Sequence, residues 1–261
     1  MDGRAADGSA GDADYGRIGT AYGDYRRPDP RLARALTAAV GGARRVLNVG
    51  AGTGSYEPVD RRVTAVEPSA AMRAQRPAHL SPAVDATAED LPFPDDAFDA
   101  ALTTFSVHQW QDLSAGLREV RRVTRGPVVV LTCDPDLLDR FWLADYAPEV
   151  IATEARRYPP LHRVTEGLGG RTTSTLVPIP LDCTDGFNEA YYGRPERLLD
   201  PGARRACSAW SFVGEDVHER FTADLTRDLA TGAWDRHHGH LRSQPVFEGS
   251  LVLVVSEPVA S

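Results

Sequence analysis

The segment VLNVGAGTGSYEP, residues 46–58, places three glycines directly after an apolar run. Gly50, Gly52 and Gly54 alternate with small residues, so this stretch of backbone carries almost no side chains. Glycine adopts positive φ readily, and a bare main chain lets ligand atoms approach its N–H groups. The apolar run over 44–49 is predicted to be the first strand of a sheet. The sequence therefore predicts a ligand-binding loop at the end of that strand.

A second strand is predicted over 62–66, and Glu67 follows it, 13 residues after Gly54. A carboxylate at this strand end can accept hydrogen bonds from both ribose hydroxyls of a nucleoside. The glycine spacing is G-x-G-x-G, whereas dinucleotide sites use G-x-G-x-x-G, whose third position falls here on Ser55. The loop and the acid favour a nucleoside cofactor other than NAD, with an NAD-dependent oxidoreductase kept as an alternative.

Strands and helices alternate through the first half of the chain, as in a doubly wound α/β sheet. Two of the predicted helices begin with an acidic cap, Asp29 before Pro30 and Asp112 at the start of 112–126, and a third covers 215–230. Strands are predicted at 44–49, 62–66, 82–84, 98–105, 127–132, 174–182 and 249–256. The fold class is thus α/β, with a doubly wound and mostly parallel sheet.

Composition excludes several classes of protein. With 261 residues, 42% of them hydrophobic, the chain is predicted to bury a sizeable core. A net charge of −8 argues against a nucleic-acid surface, and no apolar run approaches the length of a membrane span. All 29 basic residues are arginine, so the sequence has no lysine for a phosphate loop or a Schiff base.

The first residues and the cysteines indicate a cytoplasmic protein. Residues 1–13 are mostly Gly, Ala, Asp and Ser, and are predicted to be a disordered tail without the apolar core of a secretory signal. Cys133, Cys183 and Cys207 are odd in number and far apart, which predicts reduced thiols rather than a disulfide framework or a zinc site. We expect no metal, although three histidines cluster in WDRHHGH (234–240).

Four motifs in fixed order resemble the class I S-adenosylmethionine-dependent methyltransferases, most closely the small-molecule branch that includes ubiquinone and menaquinone biosynthesis enzymes. The motifs are VLNVGAGTG, VTAVEPSAAM, ATAEDLPFPDDAFDAALTTFSVHQWQD and LREVRRVTRGPVVVLT, within residues 44–133. The resemblance implies a Rossmann-like sheet of seven strands, the last of them antiparallel. It also implies S-adenosyl-L-methionine as the cofactor.

The resemblance further implies a set of cofactor-binding residues. These are Gly50, Ala51 and Gly52 at the methionine part, Glu67 at the ribose, Pro68 and Met72 beside the adenine, Thr87, Ala88 and Glu89 along its edge, and Thr104 and Phe105 beneath the sulfonium. The chain departs from the family pattern twice, with Asn48 where an acid is frequent and Thr87 where Asp is frequent.

An N-terminal lid and a base are the next candidates. In similar methyltransferases a segment before the first helix covers the cofactor, so Tyr22 would lie over it and Arg26 would pair with its carboxylate. His108 follows the fourth strand, at the sheet edge where ligands bind, and is the candidate general base. The alternatives are plain packing roles, with Arg26 at the surface and His108 bonded to a backbone carbonyl.

The second half of the chain is rich in aromatic residues and is predicted to form a substrate cap. Aromatic walls with polar tips suit a planar or apolar acceptor, although the same side chains could form a small core beneath the cap. The candidate substrate-binding residues are Trp142, Tyr146, Phe187, Tyr191 and Trp210. The predicted segments are the tail over 1–13, a cofactor core with its lid over 14–133, the cap over 134–248 with its strand near 174–182, and a last core strand over 249–261.

The predicted protein is therefore a monomeric or homodimeric methyltransferase with a small, aromatic or apolar metabolite as acceptor. Methyl transfer would depend on alignment and exclusion of water, with or without a histidine base. No nucleic acid and no membrane is expected as a partner. A cofactor-bound enzyme that does not methylate, such as a cyclase, remains open beside the NAD-dependent alternative.

Overall fold

The computed structural model describes residues 22–259, whose strands and helices are numbered here in chain order. The strands are β1 (Arg45–Val49), β2 (Arg62–Val66), β3 (Ala100–Thr104), β4 (Val128–Cys133), β5 (Arg171–Leu176), β6 (Ile179–Pro180), β7 (Val246–Phe247) and β8 (Leu251–Glu257). The α-helices are α1 (Tyr22–Tyr25), α2 (Pro30–Ala39), α3 (Ala70–Ala74), α4 (Leu113–Arg122), α5 (Leu143–Tyr146), α6 (Pro148–Arg157), α7 (Leu161–Leu168), α8 (Pro201–Arg205), α9 (Glu215–Ala230) and α10 (Ala233–His238).

The central sheet has six strands in the order β2-β1-β3-β4-β8-β5. Strands β2, β1, β3 and β4 pair in parallel, and β8 lies antiparallel between β4 and β5. This arrangement confirms the α/β class, the mostly parallel sheet and the antiparallel last strand. The predicted tail over 1–13 and the first part of the predicted lid lie outside the described residues.

The third predicted strand, 82–84, is reduced to a single parallel bridge between Val84 and Val66. The Val84 N–H donates to the Ala65 carbonyl at 2.8 Å, and the Val84 carbonyl accepts from the Glu67 N–H at 3.0 Å. Pro82 has no N–H to extend this pairing. The described sheet therefore has six strands and one bridge where the resemblance implied seven strands.

The sixth predicted strand, 174–182, is displaced toward the N-terminus. Strand β5 ends at Leu176, and Pro178 interrupts the pairing before β6 begins. Strand β6 then leaves the central sheet and pairs with β7 in a separate antiparallel ribbon. The segment therefore contributes to two sheets.

Alternate residues of β1 pack on opposite faces of the sheet, as the two-residue period of a strand requires. Val46 packs with Leu32 and Leu36 of α2 on one face, and Leu47 packs with Leu117 of α4 on the other. Each face is covered by at least one helix, which explains why β4 is apolar and buried along its whole length.

Capping residues fix where these helices begin. The Asp29 side chain accepts from the Arg31 N–H at 2.8 Å, and the Asp112 side chain accepts from the Ala115 N–H at 2.9 Å. Both caps confirm the prediction from sequence. Helix α9 has the predicted bounds, and no helix in residues 22–259 is long and apolar enough to cross a bilayer.

The predicted cap region shares its core with the sheet. Trp142, Tyr192 and Trp210 are buried in the same apolar cluster as Leu102 and Leu131 of the central strands. The aromatic side chains between α5 and α10 therefore hold the region against one face of the sheet, next to the carboxyl end of β3.

Gly126, between α4 and β4, packs closely against the backbone of Asp99, just before β3. A Cβ at this position would lie 2.0 Å from the Asp99 backbone carbonyl, so the Gly126→Ala variant must shift the start of β4. We expect it to lower the free energy of unfolding by about 2 kcal/mol or more. Urea denaturation followed by circular dichroism measures this change.

The matched control is Gly42→Ala, because a Cβ at Gly42 meets nothing within 4 Å. We expect its free energy of unfolding to stay within about 0.5 kcal/mol of wild type. Equal stability of the two variants would show that the contact between residue 126 and the Asp99 carbonyl does not require glycine.

Candidate functional site

A pocket lies at the carboxyl ends of β1, β2 and β3, where ligands bind in doubly wound sheets. About 890 Å³ of space lies between its lining atoms, part of it open to solvent. Its lining consists of Arg26, Gly50, Ala51, Gly52, Thr53, Ser55, Tyr56, Glu67, Pro68, Met72, Ala86, Ala88, Glu89, Thr104, Phe105, Ser106, Gln109, Trp110 and Asp185. We call this space the first pocket.

The glycine loop forms one wall of the first pocket with its main chain. Gly50, Gly52 and Gly54 have φ values of +66°, +51° and +93°, which side chains disfavour. A Cβ on Gly50 would lie 2.5 Å from the Ser106 side chain, so only glycine fits there. The loop is thus a close-packed backbone surface, as the sequence predicted.

Glu67 connects the loop to the end of β2. Its two carboxylate oxygens accept the N–H groups of Gly52 at 2.7 Å and Ser69 at 2.9 Å. The side chain is 7% exposed, and burial raises its pKa while these two hydrogen bonds oppose the rise. Each oxygen keeps lone-pair capacity for a ligand hydroxyl, because a carboxylate accepts about four hydrogen bonds.

The loop does not lead into a helix. In the described chain, residues 50–61 form turns, and the next helix, α3, begins only at Ala70. Three positive-φ glycines and Pro58 interrupt helical geometry in this segment. A dinucleotide pyrophosphate needs a helix N-terminus at this place, so the geometry disfavours the NAD alternative.

The charge of the first pocket suits a cation. Its described lining holds the carboxyl groups of Glu67, Glu89 and Asp185 against the single guanidinium of Arg26. S-adenosylmethionine carries a sulfonium and an ammonium group, whereas a dinucleotide carries a negative pyrophosphate. The residues present therefore fit the sulfonium cofactor in both backbone shape and charge.

Arg26 pairs with a residue from the distant part of the chain. Its Nε lies 2.5 Å from Asp185 Oδ1, and Asp185 Oδ2 accepts from the Tyr56 hydroxyl at 2.8 Å. The Arg26 side chain is 12% exposed and that of Asp185 is 2% exposed. Asp185 therefore competes with the cofactor carboxylate for the predicted pairing with Arg26.

The contacts of Asn48 explain why position 48 carries an amide, where similar proteins frequently have an acid. Its Nδ2 donates to Glu57 Oε1 at 3.2 Å, and Glu57 forms a buried ion pair with Arg76 at 2.8 Å. A carboxylate at position 48 would face the Glu57 carboxylate at this distance and repel it. The amide therefore preserves the Glu57–Arg76 pair beneath the glycine loop.

Phe105 separates the first pocket from a second one. Its φ of +52° lies in the left-handed region, which is an outlier for a bulky residue. The ring lies 5.3 Å from that of Phe187, and the Arg26 guanidinium lies 5.1 Å from its centre. Strained backbone of this kind concentrates at functional sites, and here it fixes the wall between two cavities.

The second cavity lies on the far side of Phe105 and Arg26. It encloses about 440 Å³ and is lined by Arg26, Phe105, His108, Glu154, Tyr158, Phe187, Asn188, Ala206, Cys207 and Ser208. Two lining residues, Arg26 and Phe105, are shared with the first pocket. An acceptor in the second cavity would therefore adjoin a cofactor in the first.

His108 lines the second cavity, and its ring centre lies 4.4 Å from that of Tyr158. Burial lowers the pKa of His108 well below its usual value, and the positive charges of Arg157 and Arg26 act in the same direction. The imidazole is therefore neutral near pH 7 but a weak base. Its role as the general base stays a prediction.

Most predicted cofactor-binding residues come together in the first pocket. Eleven of the thirteen line it, namely Arg26, Gly50, Ala51, Gly52, Glu67, Pro68, Met72, Ala88, Glu89, Thr104 and Phe105. Thr87 is half-buried outside the lining, and the side chain of Tyr22 lies outside the described residues. Their contacts with a cofactor remain predictions.

Sequence reasoning missed several lining residues. Trp110 lies in the SVHQW segment, of which only His108 was predicted to be a site residue. The aromatic side chain of Trp110 was the signal that could have identified it. Asp185 is distant in sequence from the other lining residues, and it reaches the pocket through its pair with Arg26. The others are Thr53, Ser55, Tyr56, Ala86, Ser106 and Gln109.

Of the five predicted substrate residues, Phe187 lines the second cavity. Trp142 is 3% exposed and donates to the Tyr192 carbonyl at 2.9 Å, and Trp210 is 1% exposed and donates to Asn188 Oδ1 at 3.1 Å. Tyr191 is also buried, and the Tyr146 hydroxyl donates to Asp228 at 3.0 Å. These four residues line neither cavity, and Tyr146 is half-buried whereas the other three are buried.

No group of three His, Cys, Asp or Glu residues in the described chain could hold a metal ion. Cys133, Cys183 and Cys207 are buried and unbridged. The three histidines over 237–240 lie on α10 and the turn after it, not on the predicted loop, and His238 lies 3.1 Å from Asp145.

Residues 47–130 match the family described as a methyltransferase domain. This segment contains β1, β2, β3 and the glycine loop, and therefore most of the first pocket. Residues 47–130 are therefore a methyltransferase domain, in agreement with the resemblance to the class I S-adenosylmethionine-dependent methyltransferases. The match favours methyl transfer over the cyclase and the NAD-dependent oxidoreductase, and leaves the ubiquinone-like branch as a prediction.

Similar proteins extend this assignment beyond the domain. A solved structure from Anabaena variabilis ATCC 29413, proposed to be a methyltransferase of an antibiotic biosynthesis pathway, is 29% identical to this chain. The similarity covers 89% of this chain and 98% of that one, with a TM-score of 0.82. The fold therefore matches over the cap region as well as the cofactor core.

Two curated relatives match over shorter stretches. An uncharacterized methyltransferase, YcgJ of Bacillus subtilis (strain 168), is 32% identical over 40% of this chain and 42% of its own length. A malonyl-[acyl-carrier protein] O-methyltransferase of Halorhodospira halophila is 32% identical over 36% of this chain and 37% of its own. The matches thus span less than half of each of these relatives.

The pair of Arg26 and Asp185 yields a testable prediction about the unliganded protein. Removing either charge breaks this buried ion pair, so Arg26→Gln and Asp185→Asn should each lower the free energy of unfolding by about 3 kcal/mol. The double variant should reveal a coupling of about 1–3 kcal/mol. Urea denaturation without added ligand measures all three.

The exposed pair Arg220–Glu149, at 2.7 Å, is the control for this cycle. Both of its side chains are more than 40% exposed, so we expect its coupling to be below about 1 kcal/mol. A coupling near zero for Arg26 and Asp185 would mean that Arg26 is available for the cofactor carboxylate instead.

Proposed function

We propose that this protein transfers a methyl group from S-adenosylmethionine to a small acceptor held in the second cavity. The observation that carries the proposal is the shared wall, because Arg26 and Phe105 line both the first pocket and the second cavity. An acceptor and a cofactor on either side of this wall would be neighbours. The acceptor would be aromatic or apolar, in keeping with the rings that surround the cavity.

The chain's contribution is to hold and orient the two reactants. When bound, S-adenosylmethionine supplies a methyl group on a positively charged sulfur. Glu67 would accept hydrogen bonds from the ribose hydroxyls, and the loop over 50–52 would support the methionine part. Met72 and Trp110 would enclose the adenine, which leaves the methyl group toward Phe105.

Rate enhancement would come from alignment and from the exclusion of water. Holding two reactants in an in-line geometry can supply about 7–11 kcal/mol of the barrier. The positive-φ backbone of Phe105 fixes the ring at the junction, and the ion pair of Arg26 and Asp185 fixes the neighbouring wall. A closed junction also keeps water from the reacting atoms.

The expected partner is a small molecule, and we propose a cytoplasmic monomer or homodimer. The acidic sequence supports a partner other than nucleic acid. The neutral state of His108 supports a role in packing against the acceptor as well as the predicted role as base.

The proposed function is tested with methyl-labelled S-adenosylmethionine and a mixture of small aromatic hydroxy and amino compounds. We expect label in a low-molecular-weight product, together with one equivalent of S-adenosylhomocysteine. The Glu67→Gln variant should bind the cofactor about 10–100-fold more weakly, because it replaces a charged acceptor of hydrogen bonds.

The matched control is Glu196→Gln, which makes the same change at a half-exposed residue paired with Arg242 outside both cavities. Its cofactor affinity should equal that of wild type. Retention of full affinity in folded Glu67→Gln would contradict the role proposed for Glu67, and a folded protein that binds neither S-adenosylmethionine nor S-adenosylhomocysteine would contradict the proposed function.

A further inference from the structure

We propose that the second cavity takes an aromatic acceptor bearing an O–H or N–H group, and that Glu154 receives the proton of that group. This inference rests on the proposed function, since it names the acceptor and the base of the same reaction. It stands on four observations: the placement of a carboxylate, the ring walls, the balance of charge in the lining, and the acid–base state of the groups around it.

Glu154 is held in a fixed orientation within the lining of the second cavity. It projects from α6, and its Oε1 accepts from Asn188 Nδ2 at 3.0 Å. Asn188 is itself held, because its Oδ1 accepts from Trp210 Nε1 at 3.1 Å. The chain Trp210–Asn188–Glu154 thus orients one carboxylate oxygen and leaves the second oxygen for another donor, which makes Asn188 a positioning residue.

Aromatic rings form the walls around this carboxylate. Phe105 and Phe187 lie 5.3 Å apart between ring centres, and the rings of His108 and Tyr158 lie 4.4 Å apart. Ring faces and edges of this kind pack against a planar ligand, with centre distances of roughly 4.5–7 Å. Rings in this arrangement favour a planar ligand over an extended chain.

The charges of the lining disfavour an anionic acceptor. Arg26 is the lining cation among the described residues, and the Asp185 carboxylate neutralises it at 2.5 Å. Glu154 would then repel a carboxylate or phosphate placed beside it. A neutral donor such as a phenol or an aryl amine can instead donate its hydrogen to Glu154.

The acid–base state of Glu154 suits proton transfer near neutral pH. Burial raises its pKa to about 7, against the hydrogen bond from Asn188 and the positive charges of Arg157 and Arg26. A base is most effective when its pKa lies near the working pH. His108 in the same cavity has a strongly lowered pKa and is the weaker base.

Two titratable groups of the cavity lining remain in one state through this pH range. Burial raises the pKa values of Tyr158 and Cys207 well above their usual values, so both stay protonated. Burial also raises the pKa of Glu189 to about 7, so Glu189 titrates in the same range as Glu154, but it lies outside the cavity lining. The charged and titratable groups acting on Glu154 are Arg26, Arg157, His108, Tyr158, Cys133, Cys207 and Glu189.

The proposed step balances without a further reactant. The acceptor's oxygen or nitrogen forms a bond to the methyl carbon, and the carbon–sulfur bond breaks with its electron pair staying on sulfur. The O–H or N–H bond of the acceptor breaks, and its proton passes to the Glu154 carboxylate. The protonated Glu154 later releases that proton to solvent.

The test compares donors with matched molecules that lack the hydrogen. The probes are monocyclic phenols and anilines, and their controls are the corresponding anisoles and N,N-dimethylanilines. Binding of each compound is measured by calorimetry with protein loaded with S-adenosylhomocysteine. Turnover is measured with S-adenosylmethionine instead. We expect the phenols or the anilines to bind and be methylated, and their capped counterparts to bind at least about 10-fold more weakly.

The Glu154→Gln variant then isolates the base. It keeps an oxygen for the Asn188 hydrogen bond, so we expect kcat to fall about 100-fold or more while KM and cofactor affinity change little. Wild-type kcat/KM should rise with pH through an ionisation near 7, since Glu154 accepts a proton only when ionised. The control Glu149→Gln makes the same change at an exposed position of α6 and should behave as wild type.

Each outcome separates this inference from the proposed function. If S-adenosylhomocysteine binds but no phenol or aniline binds or is methylated, the acceptor class is wrong while the proposed function stands. If Glu154→Gln keeps its kcat, Glu154 is not the base. If that variant does not fold, the wild-type pH profile decides, and a flat profile between pH 6 and 8 overturns the inference. A protein that binds no S-adenosylhomocysteine overturns both.

Discussion

The hydrogen bond from the Gly52 N–H to the Glu67 carboxylate, 2.7 Å long, is the contact on which the site depends. It joins the loop after β1 to the end of β2 and holds a buried carboxylate toward the first pocket. The positive φ values of the loop glycines allow that approach. Backbone amides and one acid thus create an acidic, glycine-lined surface that fits a sulfonium cofactor and lacks the helix N-terminus of a dinucleotide site.

The junction between the two cavities is built from residues far apart in sequence. Arg26 precedes the first strand, Phe105 ends β3, and Asp185 belongs to the second half of the chain. Their contacts explain why the second half of the chain packs on the sheet beside the ligand-binding edge. The Anabaena structure shares the fold over 89% of this chain and 98% of its own, and so includes a counterpart of the second half of the chain.

Local patterns predicted the elements and most of the first pocket. Strand β2 and helix α9 have the predicted bounds, and Asp29 and Asp112 cap their helices, because these features depend on neighbouring residues. The second cavity could not be predicted in this way. Glu154 stands in an ordinary amphipathic helix, and only tertiary packing brings it to Asn188. The sequence likewise did not indicate that the glycine loop ends without a helix, since its glycine pattern resembles that of loops that are followed directly by a helix.

A calorimetric titration of the purified, ligand-free protein with S-adenosylhomocysteine, with NAD as the control, would show which cofactor the first pocket binds. We expect one site per chain with micromolar affinity for S-adenosylhomocysteine and no heat of binding for NAD, because the pocket is acidic and has no helix N-terminus at the loop. Binding of NAD alone, or of neither molecule by folded protein, would contradict it.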